Sequence, residues 1–377
     1  MTRDRPLHGH TPRRLTVLLP LLGLIVLGLC GLGLLAISTA RVGVVAELVG
    51  VVAAFLWVDR WEPEPAPILW LGFAWGACVA TLTALLINST AEAVGDLMLG
   101  HGRGDTISAV VSAPLVEEAA KGAFVLGMLL WRRDEFHGVI DGIVYAGVCA
   151  AGFAFTENIY YFGRVFAEHG FGTVTTAGVI AAFILRGLLS PFTHPLFTVM
   201  IGIGFGIAAG TRDRAVGVIL PIGGYLGAVV LHALWNGAAT LGGATTFLNV
   251  YFLVMVPIFI AVALLVGRHR RREQRIVAEA LPTLVEDELI EAIEADTLAD
   301  LRRRRARRAE VRRRSGRAAA RAVGAYQATV SELAFLRHNM ARGTAGRLAS
   351  AREQKLLMVL RVNRARAMRG VRVEHAR

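Results

Sequence analysis

An all-α, polytopic membrane bundle with a basic helical tail is the architecture this sequence predicts, on three observations. Of 377 residues, 54% are hydrophobic and only 19% charged, with a mean hydropathy of +0.52. That is more apolar surface than a soluble domain encloses. The apolar residues gather into runs of about twenty, the length that crosses a hydrocarbon layer of about 30 Å. The net charge of +12 is unevenly placed: residues 268–377 hold 27 Lys and Arg against 13 Asp and Glu, whereas residues 1–267 hold 14 against 16. A near-neutral membrane body therefore precedes a basic tail.

Residues 1–14 form a short basic N-terminus, and residues 15–267 offer eight spans, near 15–37, 42–58, 66–88, 106–131, 138–162, 176–210, 215–240 and 247–267. The first follows Arg13-Arg14. Its apolar core exceeds the roughly 7–15 residues of a signal-peptide core, which predicts a retained anchor helix. The run 176–210 is too long for one straight helix and too short for two. With a single crossing there, nine loop arginines fall on the N-terminal side and three (Arg41, Arg103, Arg164) on the other. This asymmetry places both termini in the cytoplasm. The long span then breaks near Pro191 and Pro195, since proline removes a backbone donor and kinks a helix. Counted from their outer ends, Glu117, Glu157 and His232 lie about eleven, six and eight residues deep, so the site is expected to open outward. Cys30, Cys78 and Cys149 all sit in apolar runs and read as small packing residues.

Ionisable groups inside apolar spans cost several kcal/mol each unless paired or used, so they are the candidates for function. Glu117 and Lys121 are spaced i,i+4, and Glu118 and Lys121 i,i+3, so one lysine can meet either carboxylate. It cannot neutralise both. The surplus carboxyl suits a general base better than a structural ion pair does. Glu157-Asn158 lies near the outer end of the fifth span and reads equally as an interfacial carboxylate. Asp141, near the inner end of that span, has an anchoring role as its alternative. His232 and Asn236 share a helix face at i,i+4, where they can aim donors at one oxygen. His194 sits between prolines at the break, and Arg186 two turns before it can pair with a carboxylate or reach outward. The glycine strings Gly202-Ile-Gly-Phe-Gly206 and Gly223-Gly224 need only close helix packing to explain them.

In order and spacing these residues resemble the PrsW family of intramembrane proteases, allied to the CAAX-prenyl proteases and bacteriocin-processing membrane proteins. The segments that carry the resemblance span about residues 45–240. They are Asp59-Arg60-Trp-Glu-Pro-Glu64-Pro, Glu117-Glu118-x-x-Lys121, Asp141-Gly142, Phe153-x-x-x-Glu157-Asn158, His194 and His232-x-x-x-Asn236. The resemblance implies an active centre of Glu117, Glu118, Glu157, His194 and His232, and hydrolysis of membrane-anchored proteins, anti-sigma factors among them. It leaves the metal question open. His194, His232 and Glu157 could hold zinc with a fourth position free. A glutamate can equally activate water directly, and the paired glutamates beside a lysine favour that reading, with no cofactor.

The rival class is a transporter or channel in which the same groups relay protons. Transporters of that kind often show paired broken helices in inverted repeats; here one break and no repeat is evident. In the tail, an acidic stretch from Glu286 to Asp300 precedes the arginine runs 302–308 and 312–314, and helical stretches are expected at about 321–341 and 347–369 in an otherwise partly disordered segment. Arginine runs beside a membrane suit anionic lipid. Nucleic acid is the weaker reading, because no aromatic residues interleave with the basic ones.

Overall fold

The computed structural model describes residues 41–61, 64–132, 136, 138–173, 191–345 and 348–372, with backbone alone for 41–47, 161–173 and 370–372. The first expected span, Arg186 and the first part of the run 176–210 lie outside the described residues. Those described contain helices and no strand.

The helices are α1 (Arg41–Val58), α2 (Ala66–Leu99), α3 (residues 103–131), α4 (Val139–Thr173), α5 (Thr193–Ala209), α6 (Arg214–Leu241) and α7 (Gly243–Glu286). Of these, α2, α6, α7 and the Val139–Tyr160 part of α4 are long and apolar enough to cross a membrane. Helix α3 misses that standard by composition, since Glu117, Glu118 and Lys121 sit within it. Helix α2 runs on to Leu99, past the expected end at 88, and α7 continues beyond the expected end at 267 into the tail.

Helix α4 is the axis of the bundle: 89% of its apolar window is buried, against 17% for α6 and 11% for α7. Its neighbours approach closely because glycines face each other. A Cβ on Gly142 would lie 2.1 Å from the carbonyl oxygen of Gly202 on α5, so only hydrogen fits there. The outer faces of α2, α6 and α7 expose Trp70, Leu86, Leu97, Ile219, Val230 and Leu253. Such a belt is unfavourable in water and natural in lipid.

Helix α5 begins at Thr193, just past a turn at Pro191-Phe192. That start puts His194 in the first turn of a helix inside the bundle. π-Helical turns interrupt α2 at Trp75–Ala80 and α3 at Ser108–Ser112. Single π-turns are often found at functional sites.

Beyond the membrane body, α8 (Ala292–Leu298), α9 (Leu301–Ala341) and α10 (Ala349–Arg372) fold against the end of α7. Helix α9 bends at Gly316, whose φ of 83° is outside the helical range. Leu284, Leu298, Val330, Leu333 and Leu360 make a separate apolar core there. Both arginine runs lie within α9.

Candidate active site

Four helices bring the ionisable residues together. Helix α3 supplies Glu117, Glu118 and Lys121, α5 supplies His194 and α6 supplies His232; Glu157 comes from α4. Lys121 Nζ lies 2.7 Å from Glu118 Oε1, 3.6 Å from Glu117 Oε2 and 3.4 Å from His194 Nδ1. Its ammonium also sits 4.0 Å from the centre of the Phe153 ring, a cation–π contact that adds to the two carboxylates. Glu118 and Lys121 are fully enclosed.

Each imidazole is held by a carboxylate. His232 Nδ1 is 3.1 Å from Glu118 Oε1, and His194 Nε2 is 2.6 Å from Glu157 Oε2. Assigning the ring proton to the nitrogen that faces the carboxylate leaves His232 Nε2 and His194 Nδ1 as acceptors on the side of the cluster. Phe197 stacks on His232 with centroids 5.0 Å apart, and the two imidazoles meet edge to face at 5.3 Å. These packed rings hold the orientations in which each imidazole faces its carboxylate.

The two adjacent glutamates differ sharply. Glu118 accepts from Lys121, faces His232 and takes a further hydrogen bond from the Thr198 hydroxyl at 2.8 Å. Glu117 accepts only a long bond from the Asn88 amide, 3.4 Å to Oε1. Its Oε2 is buried with no hydrogen-bond donor among the described residues; Lys121 Nζ at 3.6 Å and His232 Nε2 at 3.9 Å stand around it. An underused buried carboxylate oxygen costs free energy unless a proton, water or ligand meets it.

Of the remaining expected residues, Asn158 is buried beside Glu157. Asp141 accepts from the backbone N–H of Gly138 at 3.1 Å, at the start of α4. Asn236 donates to the Ala109 carbonyl at 2.8 Å, within the π-turn of α3, so its amide ties α6 to α3. A cluster of possible metal ligands is also present. The donor atoms that lie within 4.8 Å of one another belong to Glu117, His194 and His232, while Glu157 backs His194.

Sequence reasoning passed over Thr198, Asn88 and Ser112. Thr198 was legible, being one turn after His194 on the same helix face. Asn88 had no local signal; its side chain carbonyl accepts from Ser112 at 2.8 Å while its amide reaches Glu117. Nor did the lead-in segment show its purpose. There Asp59 accepts from the Glu64 N–H at 2.7 Å, and the Tyr145 hydroxyl donates to Glu64, pinning the α1–α2 loop to α4.

The fold and site define a class: a helical membrane body with a buried cluster of carboxylates, imidazoles and one lysine. Residues 64–262 match the model of the PrsW family intramembrane metalloproteases, and the chain belongs to that family. Relatives include the Protease PrsW of Geobacillus kaustophilus, 30% identical over 44% of this chain and 64% of its own length. The Protease PrsW of Oceanobacillus iheyensis is 30% identical over 40% and 62%, and that of Bacillus subtilis 26% identical over 45% and 69%. The chain thus spans a little under two thirds of the length of the first two. No solved structure gives a significant match.

Proposed function

We propose that the chain is an intramembrane endopeptidase that hydrolyses a peptide bond in a membrane-anchored protein, an anti-sigma-factor-like substrate among the candidates. The observation that carries this reading is the unequal pair of glutamates. Glu118 is committed to holding Lys121 and His232, which leaves Glu117 Oε2 free of donors inside the cluster.

Water bound at Glu117 Oε2 would lose a proton to that carboxylate as it attacks the scissile carbonyl. Lys121 carries the positive charge that the developing oxyanion needs, in a site from which Phe153 and Phe197 exclude bulk water. Protonated Glu117 then returns its proton to the leaving amine. Glu118 and Glu157 keep the two imidazoles in fixed orientation throughout. Access is from the side of Glu157 and His194, whose side chains are 15% and 16% exposed while those of Glu118 and Lys121 are wholly covered.

A second reading has a specific observation behind it. Two carboxylate-backed imidazoles and a carboxylate oxygen lacking donors are the donor set a zinc ion takes. Glu117, His194 and His232 would hold it, and when bound it would supply Lewis acidity and a water of lowered pKa. The lysine favours the metal-free reading. Its ammonium lies within 3.6 Å of two of those three residues, and a second cation in the same hollow meets its repulsion. We prefer the metal-free reading.

The asymmetry of loop arginines supports a cell-membrane protein with both termini cytoplasmic, about eight spans and the site toward the outer side. The test of hydrolysis is cleavage of a membrane-anchored substrate by purified protein in ¹⁸O water. One heavy oxygen in the new C-terminal carboxylate is expected. Substrate left intact, with proton flux across the vesicle instead, would overturn the reading in favour of a transporter.

A further inference from the structure

Four arginines converge where the membrane body meets the tail. Arg60 follows α1, Arg270 lies on α7 just past its apolar stretch, and Arg305 and Arg308 are one turn apart on α9. Arg270 and Arg60 both approach the ring of Trp57, at 4.0 and 6.0 Å. Trp57 is half exposed at the end of α1, where aromatic rings mark the bilayer surface. Beneath them Arg304 is 3% exposed, packed over Trp61 at 5.0 Å, and donates to the Leu298 and Gln327 carbonyls and the Ser331 hydroxyl.

Among the described residues this cluster is short of counter-charge, with Glu273 acting on Arg270. Among the described residues no carboxylate forms an ion pair with Arg60, Arg270, Arg304, Arg305 or Arg308. Two buried guanidinium nitrogens, Arg270 Nε and Arg304 Nη2, have no acceptor. Burial lowers the basicity of Arg60, Arg308 and Arg270, and repulsion from the others lowers it further; only Glu273 opposes this, at Arg270. Five cations drawn together by folding, with donors unfilled, are relieved by an anion that accepts several hydrogen bonds at once. Arginine forks match phosphate in that way.

We propose that Arg60, Arg270, Arg305 and Arg308, seated on Arg304, bind a phosphate-class anion at the membrane surface, supplied by the headgroup of an anionic phospholipid. The half-exposed Trp57 and the change of α7 from apolar residues to Arg268–Arg272 put the cluster at headgroup level. The loop that carries Arg60 also holds Asp59, which accepts from the Glu64 N–H, and Glu64, which accepts from Tyr145 on α4. Occupancy would thus lock the tail onto the membrane body.

The test uses the full chain in detergent micelles, with the thermal unfolding midpoint read against added lipid. Short-chain phosphatidylglycerol should raise the midpoint and phosphatidylcholine should not. The triple variant Arg60→Gln, Arg270→Gln, Arg308→Gln should need about a hundredfold more phosphatidylglycerol, near fivefold for each arginine removed. A control triple, Arg312→Gln, Arg313→Gln, Arg321→Gln, removes the same charge from exposed positions and should keep the wild-type response. Equal loss in both triples would overturn a local site in favour of general attraction. No midpoint shift, or an equal one with phosphatidylcholine, would overturn it too. Millimolar inorganic phosphate that reproduces the shift would support the anion site and assign its source to solution. If the triple does not fold, Arg305→Gln, at an exposed position, should still weaken the response about fivefold, and an unchanged response there would overturn the proposal.

Discussion

Glu118 Oε1 lies 3.1 Å from His232 Nδ1, a contact between residues 114 apart in sequence, and the same oxygen is 2.7 Å from Lys121 Nζ. One atom thus orients the imidazole and holds the lysine. Glu118→Gln keeps the shape and removes the charge. We expect cleavage to fall by about 10²–10⁴ and stability by about 3–5 kcal/mol, because Lys121 loses its nearest counter-ion in a buried site. Adding Lys121→Met should restore most of the stability and none of the activity. Unfolding and cleavage measured on the same preparations check this, and a stable, active single variant would contradict it.

Thr198 donates to Glu118 Oε2 at 2.8 Å. Thr198→Val removes the hydroxyl at nearly constant volume. A hydrogen bond to a charged group is worth about 1.5–3 kcal/mol, so the unfolding midpoint should drop measurably. Cleavage should fall by less than the loss seen at Glu117, since Thr198 acts only through Glu118. A denaturation curve beside a single-turnover rate separates the two effects.

Chelation bears on the metal directly. Dialysis of active protein against a strong zinc chelator should leave cleavage unchanged if Glu117 acts on water itself. Loss of activity that added zinc restores would refute the metal-free reading and assign Glu117, His194 and His232 as ligands. Metal analysis of the purified chain gives an independent readout.

Asp300 caps α9 by accepting from the N–H groups of Arg302 at 2.5 Å and Arg303 at 3.1 Å. Those bonds hold its carboxyl below the ordinary aspartate value of 3.8. Its stabilising effect is therefore complete above that value and is lost as pH falls through the lowered folded value. Asp300→Ala should cost about 1 kcal/mol locally. Hydrogen exchange at Arg302 and Arg303 at pH 5 should then be faster in the variant than in the wild type, and equal rates would contradict the cap.

The outline of this fold was legible because lipid imposes run length. The helices Arg41–Val58 and Arg214–Leu241 follow apolar runs seen in the sequence, and a turn at Pro191-Phe192 precedes the helix that starts at Thr193. Glu117, Glu118, Lys121, His194 and His232 were found because charge inside an apolar run stands out. The pairings were not. Which carboxylate takes which imidazole depends on helix rotation and crossing, set by contacts such as Gly142 against Gly202, and no local pattern encodes that. Nor does a local pattern encode the bond that the Asn236 amide donates to the Ala109 carbonyl. The tail core was hidden by composition: its buried leucines are spaced among arginines whose heads reach water.

Glu117 Oε2, buried with no hydrogen-bond donor among the described residues, is the atom on which the proposed chemistry turns. The most direct test compares wild type with Glu117→Gln for cleavage of a membrane-anchored substrate in proteoliposomes, with unfolding followed in parallel. The variant should fold and insert as the wild type does, because Lys121 keeps Glu118 at 2.7 Å. Its cleavage rate should fall by about 10²–10⁴. A folded Glu117→Gln protein that cleaves at the wild-type rate would contradict the account.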